Sequence, residues 1–177
     1  MTNLSTMIYF LILAAAVLRV IPHAANFAPI TAMALFGGTY LNKKFAVVIP
    51  LAAMVLSDVF IGFDSFESRL IVYGSFFLIG LVGMWVRNHK TLANIAGGTL
   101  ASSVLFYLIT NFAYFYPVGM YSHDLAGVIA SYINALPFFR NTLLGDFFYV
   151  GVMFGAYEFV EKYYLTKKVA QSKVSRG

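Results

Sequence analysis

The sequence predicts an all-α membrane protein, a single six-helix transmembrane domain over residues 1–165 followed by a basic tail at 166–177. Three observations predict it. Hydrophobic residues fill 60% of the 177 positions and charged residues only 11%, whereas a soluble domain carries about 25% charged residues. The mean hydropathy is +0.79. Apolar runs recur along the chain between short polar patches, and about 20 apolar residues in a helix cross a hydrocarbon core of about 30 Å.

Run length and polar punctuation place the six helices in order. The first covers Leu4 to Val20; it lacks the charged start and small-residue cleavage site of a signal peptide. The second, Ile30 to Leu41, is only a dozen residues and must rest against protein to cross. Phe45 to Ile61, Leu70 to Val86 and Leu92 to Tyr116 follow. A short segment, Leu125 to Leu136, is closed by Pro137 and reads as an interfacial or re-entrant helix before the sixth span, Thr142 to Leu165. The tail looks disordered. Small residues share single faces at Ala34 and Gly38, Gly97 and Ala101, and Gly151 and Gly155, a spacing that lets membrane helices approach closely.

Basic residues set the expected orientation. With both termini inside, Lys43, Lys44, Arg87, Lys90, Lys162, Lys167, Lys168, Lys173 and Arg176 are inner and only Arg19, Arg69 and Arg140 are outer. The net charge of +5 is therefore no nucleic-acid signal, because five of the twelve basic residues lie from Lys162 onward, where they suit contact with membrane lipid. There is no cysteine, which removes disulfides and thiolate metal sites.

Ionisable groups inside a membrane cost about 3 kcal/mol or more each, so they tend to face a cavity, a partner or the interface. On this topology Arg19, His23, Asn26, Asp58, Asn111, Arg140, Asn141 and Asp146 all fall in the outer half. Asp58 follows thirteen uncharged residues and must find a donor or stay protonated. Asp146 and Asn141 also suit the first turn of the sixth helix as dipole partner and cap. Phe27, Tyr73, Tyr116, Phe138 and Phe139 could wall a pocket for a flat ligand, although an interfacial aromatic belt accounts for such rings as well. No nucleophile elbow, His-Glu-x-x-His, Walker loop or paired-glutamate metal site is present, and the expectation is a protein that is not an enzyme and carries no cofactor or metal. Inverted repeats and paired broken helices, the marks of many self-contained transporters, are also missing.

The runs "LRVIPHAANFAPITAMALFGGTYL", "VIPLAAMVLSDVFIGF", "LITNF" and "LPFFRNTLLGDFFYVGVMFG" resemble a family of small uncharacterised bacterial membrane proteins. That family in turn looks like the substrate-binding S components of energy-coupling factor (ECF) vitamin transporters. The resemblance implies an S-component-like bundle in the bacterial cytoplasmic membrane, with cytoplasmic termini. It also implies a small-molecule, vitamin-like substrate bound near the outer face, and uptake driven by an ECF transmembrane subunit with two ATPases or by the protein alone. It places Arg19, His23, Asn26, Asp58, Asn111, Arg140, Asn141 and Asp146 around the site. S components dock through an alanine-x-x-x-alanine face in the first helix, and here Ala14 meets Leu18, which leaves a solitary mode open. The resemblance touches cobalamin-binding S components. With no cysteine to hold cobalt, His23, His123 or no protein ligand would serve. Two other classes stay in play: a structural or assembly subunit, and an intramembrane enzyme using Ser57.

Overall fold

The computed structural model describes residues 3–62 and 65–174, and the described residues form six α-helices with no strand. These are α1 (Asn3–Val20), α2 (Ile30–Tyr40), α3 (Val48–Ile61), α4 (Phe66–Asn88), α5 (Leu92–Thr110) and α6 (Leu125–Val174), with a 3-10 turn at Ala113–Phe115.

The short second helix is the centre of the bundle. Nine of its eleven residues are buried, and it touches all five other helices. Glycines on α2 and α4 make this possible. A Cβ on Gly38 would stand 2.3 Å from the Gly80 carbonyl oxygen, and one on Gly83 would stand 2.4 Å from that of Leu35. The Thr39 hydroxyl donates across the same contact to Gly83 O at 3.2 Å. Arg87 from α4 then closes the end of α2, donating to the carbonyls of Thr39 (3.0 Å), Gly38 (2.6 Å) and Leu41. Those are the acceptors a helix C-terminus leaves without an internal partner. Around α2 sits an apolar core that includes Ile12, Met33, Leu35, Phe36, Met54 and Ile79.

Three helices, Phe66–Asn88, Leu92–Thr110 and Leu125–Tyr164, are long and apolar enough to cross a membrane. The other three expected spans correspond to shorter helices. At about 1.5 Å per residue, α1, α2 and α3 rise roughly 27, 17 and 21 Å, less than a hydrocarbon core of about 30 Å. They stand packed against the long helices, as their own lengths require.

Element ends differ from expectation for local reasons. Ser65 caps α4 by accepting from the Ser68 amide at 3.2 Å, so the helix starts at Phe66 and not at Leu70. α5 stops at Thr110 rather than Tyr116, where the Asn111 side chain turns back to donate to Tyr107 O at 2.9 Å. The largest correction concerns Leu125–Leu136. It is the start of α6, and Pro137 sits inside that helix. Proline costs one hydrogen bond there without ending the helix, since neighbouring protein can re-satisfy the freed group. The tail also departs from expectation, because α6 runs on to Val174. Arg176 lies outside the described residues.

α6 does not run alongside α5. Tyr107 donates to Tyr132 O at 2.7 Å and Tyr132 to Leu108 O at 2.8 Å, while Ser103 donates to Asp146 at 2.6 Å. Between these points α6 advances about 21 Å and α5 only about 7 Å. Side-chain reach does not absorb that difference, so the first turns of α6 cross the end of α5 obliquely.

Candidate functional site

The site is built where α1 ends. Arg19, in the last turn of α1, donates to the Ser57 hydroxyl at 2.7 Å and to Met54 O at 3.1 Å, and it pairs with Asp58. Asp58 takes a second guanidinium, Arg69 of α4, at 3.0 Å and the hydroxyl of Tyr73. Arg69 in turn reaches Gly62 O at 3.0 Å, closing the turn after α3. The Asp58 side chain is 6% exposed, and its oxygens are spent on this network. Asp58 and Tyr73 therefore tie α1, α3 and α4 together.

Beside the network lies a hollow of about 230 Å³ lined by Arg19, His23, Asn26, Thr31, Thr142 and Asp146 with apolar walls from Phe76, Phe106, Ile30 and Ile61. Its deep end is Asp146, 2% exposed, which accepts from the Ser103 hydroxyl at 2.6 Å and from Thr31. Phe76 and Phe106 stack at 5.1 Å between centroids. Its mouth is the loop 21–29, where His23 and Asn26 are exposed. Asn26 adopts φ +62°, a left-handed conformation that asparagine tolerates better than most residues.

That loop is fastened to α6. Asn141 donates to Ala25 O at 3.0 Å, and Phe27 packs on Phe148 and Tyr149 at 5.9 and 5.6 Å between centroids. Phe27 and Asn141 thus hold the cover in place and do not line the hollow. Arg140 is exposed and lines neither this hollow nor the next. Helical phase explains it: Thr142 and Asp146, four apart, share the inward face, and Arg140 is turned by about 200° from Thr142.

Asn111 and Tyr116 belong to a second hollow, also about 230 Å³, between the turn after α5 and the start of α6; Tyr121, Ser131, Asn134 and Phe138 complete it. Both residues are engaged in local structure, with Tyr116 donating to Thr110 O at 2.9 Å. Burial raises the Tyr116 phenol above its ordinary pKa, and the neighbouring Tyr121 adds to the shift. His123 stacks on Tyr114 at 4.7 Å and faces Tyr116 O at 3.0 Å.

Of the eleven residues expected to form one site, four line the first hollow: Arg19, His23, Asn26 and Asp146. Thr31, Phe76, Phe106 and Thr142 went unrecognised. The i, i+4 pair Thr142 and Asp146 was the signal that could have found one of them.

The fold and site together define an all-helical protein with three helices long and apolar enough to cross a membrane and a hollow, apolar-walled with a few polar groups, open at one end of its bundle. The chain belongs to DUF6580, a family of unknown function, whose sequence model matches residues 2–171. No curated protein and no solved structure matches it.

Proposed function

We propose that the protein is a membrane-embedded binding component for uptake of a small vitamin or cofactor precursor, working in the manner of an ECF S component. One observation carries the reading: the hollow that Asp146 floors and the loop 21–29 covers. Small-molecule sites combine apolar walls with a few placed polar groups, and this hollow has both. The reading takes the mouth as outside and the termini as cytoplasmic, in a bacterial inner membrane crossed several times, and the excess of lysine and arginine at the other end of the bundle supports it. A volume of about 230 Å³ lies below the roughly 300–1,000 Å³ of drug-sized pockets. It favours a solute much smaller than cobalamin. An ATPase-bearing transmembrane partner would supply the drive, and the protein itself catalyses no reaction.

A second reading, an assembly subunit, has its own support: a Cβ on Gly97, Gly151 or Gly155 would meet open space, leaving faces on which another membrane helix could pack.

The experiment is mass spectrometry of small molecules released from gently purified protein, wild type against Ala28→Trp, which fills the mouth. One stoichiometric solute in the wild type and none in the variant is expected. Equal recovery from both removes this hollow as the site, and a stoichiometric protein partner with no solute favours assembly.

A further inference from the structure

Asp146 differs from the other buried carboxylate in one respect. Asp58 has two arginines, whereas no described lysine, arginine or histidine lies within 4 Å of the Asp146 carboxylate, whose partners are the neutral hydroxyls of Ser103 and Thr31. Arg19 lines the same hollow, but its charge is turned to Asp58, Ser57 and Met54 on α3. A carboxylate charged at such depth needs a positive partner. The wall beside it is aromatic, and the faces of Phe76 and Phe106 attract cations electrostatically. A buried carboxyl group with no cationic neighbour and an aromatic wall at the closed end of a solute-sized space suit the same guest.

We propose that the solute carries an ammonium-type cationic group that lodges against Asp146 beside the stacked pair of Phe76 and Phe106. The proposal rests on the solute-binding reading above and adds the chemical class. Thr31 and Ser103 orient the carboxylate, and removing water from the site strengthens its pairing with the guest. The solute's other end meets Asn26, His23 and the rim of Arg19, groups that suit a tail rich in hydrogen-bond acceptors.

The test uses three probes of one shape and different charge on the full-length protein in lipid nanodiscs. Choline is the cation, 3,3-dimethylbutan-1-ol its neutral isostere and 3,3-dimethylbutanoate the anion. Thermal midpoint against concentration gives each apparent affinity, and the accessibility of Asp146 is read as its carbodiimide adduct by peptide mass. Choline alone is expected to raise the midpoint and protect Asp146. Asp146→Asn should weaken choline by roughly thirtyfold or more. Phe106→Leu should weaken it by about fivefold, and it serves if the first variant does not fold. Equal or greater effects from the neutral or anionic probe overturn the cation assignment and leave the solute site standing. No shift from any probe also overturns the assignment. If Asp146 in addition resists the carbodiimide, the hollow is closed to solutes and the functional reading falls with it.

Discussion

Gly145 of α6 lies directly against Phe27 of the covering loop: a Cβ built on it would come within 3.1 Å of the Phe27 Cα and 3.3 Å of its ring. The absent side chain is a notch, and the loop over the hollow rests in it. Gly145→Ala is therefore expected to lift the loop by a few tenths of an ångström. Overall stability should change little, since the roughly 1 kcal/mol of helix propensity gained by alanine offsets a comparable packing cost. The loop itself should loosen. Hydrogen exchange at the Phe27 amide, bonded to Ala24 O at 2.9 Å, should accelerate in the variant while exchange along α4 stays unchanged. Equal exchange at Phe27 in both proteins would show that the notch holds nothing.

Asp58 is the only described carboxylate facing both Arg19 and Arg69, so Asp58→Ala removes the group that the two guanidiniums share. Breaking a buried pair from one side costs about 3–5 kcal/mol. We expect a large fall in thermal midpoint for Asp58→Ala. The fall should be smaller for Arg69→Met, in which Arg19 still compensates Asp58. If Asp58→Ala melts like the wild type, the network is not what joins α1, α3 and α4.

Much of this end of the protein was legible in the sequence, and the reason is energetic. Polar groups are costly among apolar runs, so Arg19, His23, Asn26 and Asp146 stood out, and Asp58 had to find donors. It found three. What could not be read was rotation about each helix axis. In a soluble helix the polar face marks the outside, but here lipid and core are both apolar. In "LPFFRNTLLGD" only the i, i+4 spacing of Thr142 and Asp146 hints at the phase, and a single hydroxyl is a weak marker beside the charge of Arg140. Phe76, Phe106 and Thr31 were hidden for a related reason, as a phenylalanine or threonine inside a span has an ordinary packing role. Helix limits failed where a side-chain cap or an accommodated proline overrode run length, at Ser65, Asn111 and Pro137.

Small-residue spacing was ambiguous in the same way, and the structure separates its cases. Gly38 meets backbone, the Gly80 carbonyl oxygen at 2.3 Å and the Gly83 Cα at 2.8 Å, whereas Gly151 meets nothing within 4 Å. Backbone cannot rotate aside, so Gly38→Ala must force α2 and α4 apart. The expected loss is about 1–3 kcal/mol or more, read as a lower midpoint and lower yield of folded protein. Gly151→Ala should be neutral or slightly stabilising, by up to about 1 kcal/mol. Reversal of that order would mean that the open face of α6 is the packed one.

The start of α6 supplies a pH test. Asp124 accepts from the Gly127 amide at 2.8 Å and from the Ser122 hydroxyl at 2.8 Å, as an N-cap does. These bonds, with the Gly127 amide foremost, hold its carboxyl below the usual value of 3.8. A carboxyl whose pKa is lower in the folded protein than in the unfolded chain contributes stability that is complete above the unfolded value. That contribution disappears as pH falls from there through the folded one. The first turn of α6 is therefore expected to keep its exchange protection at neutral pH and to fray below pH 3.8. Asp124→Asn retains a capping oxygen but has no proton to gain, so its protection at the Gly127 and Val128 amides should be flat over the same range. Fraying of both proteins alike at low pH would assign the transition to another group, and fraying of neither would show that the cap does not titrate.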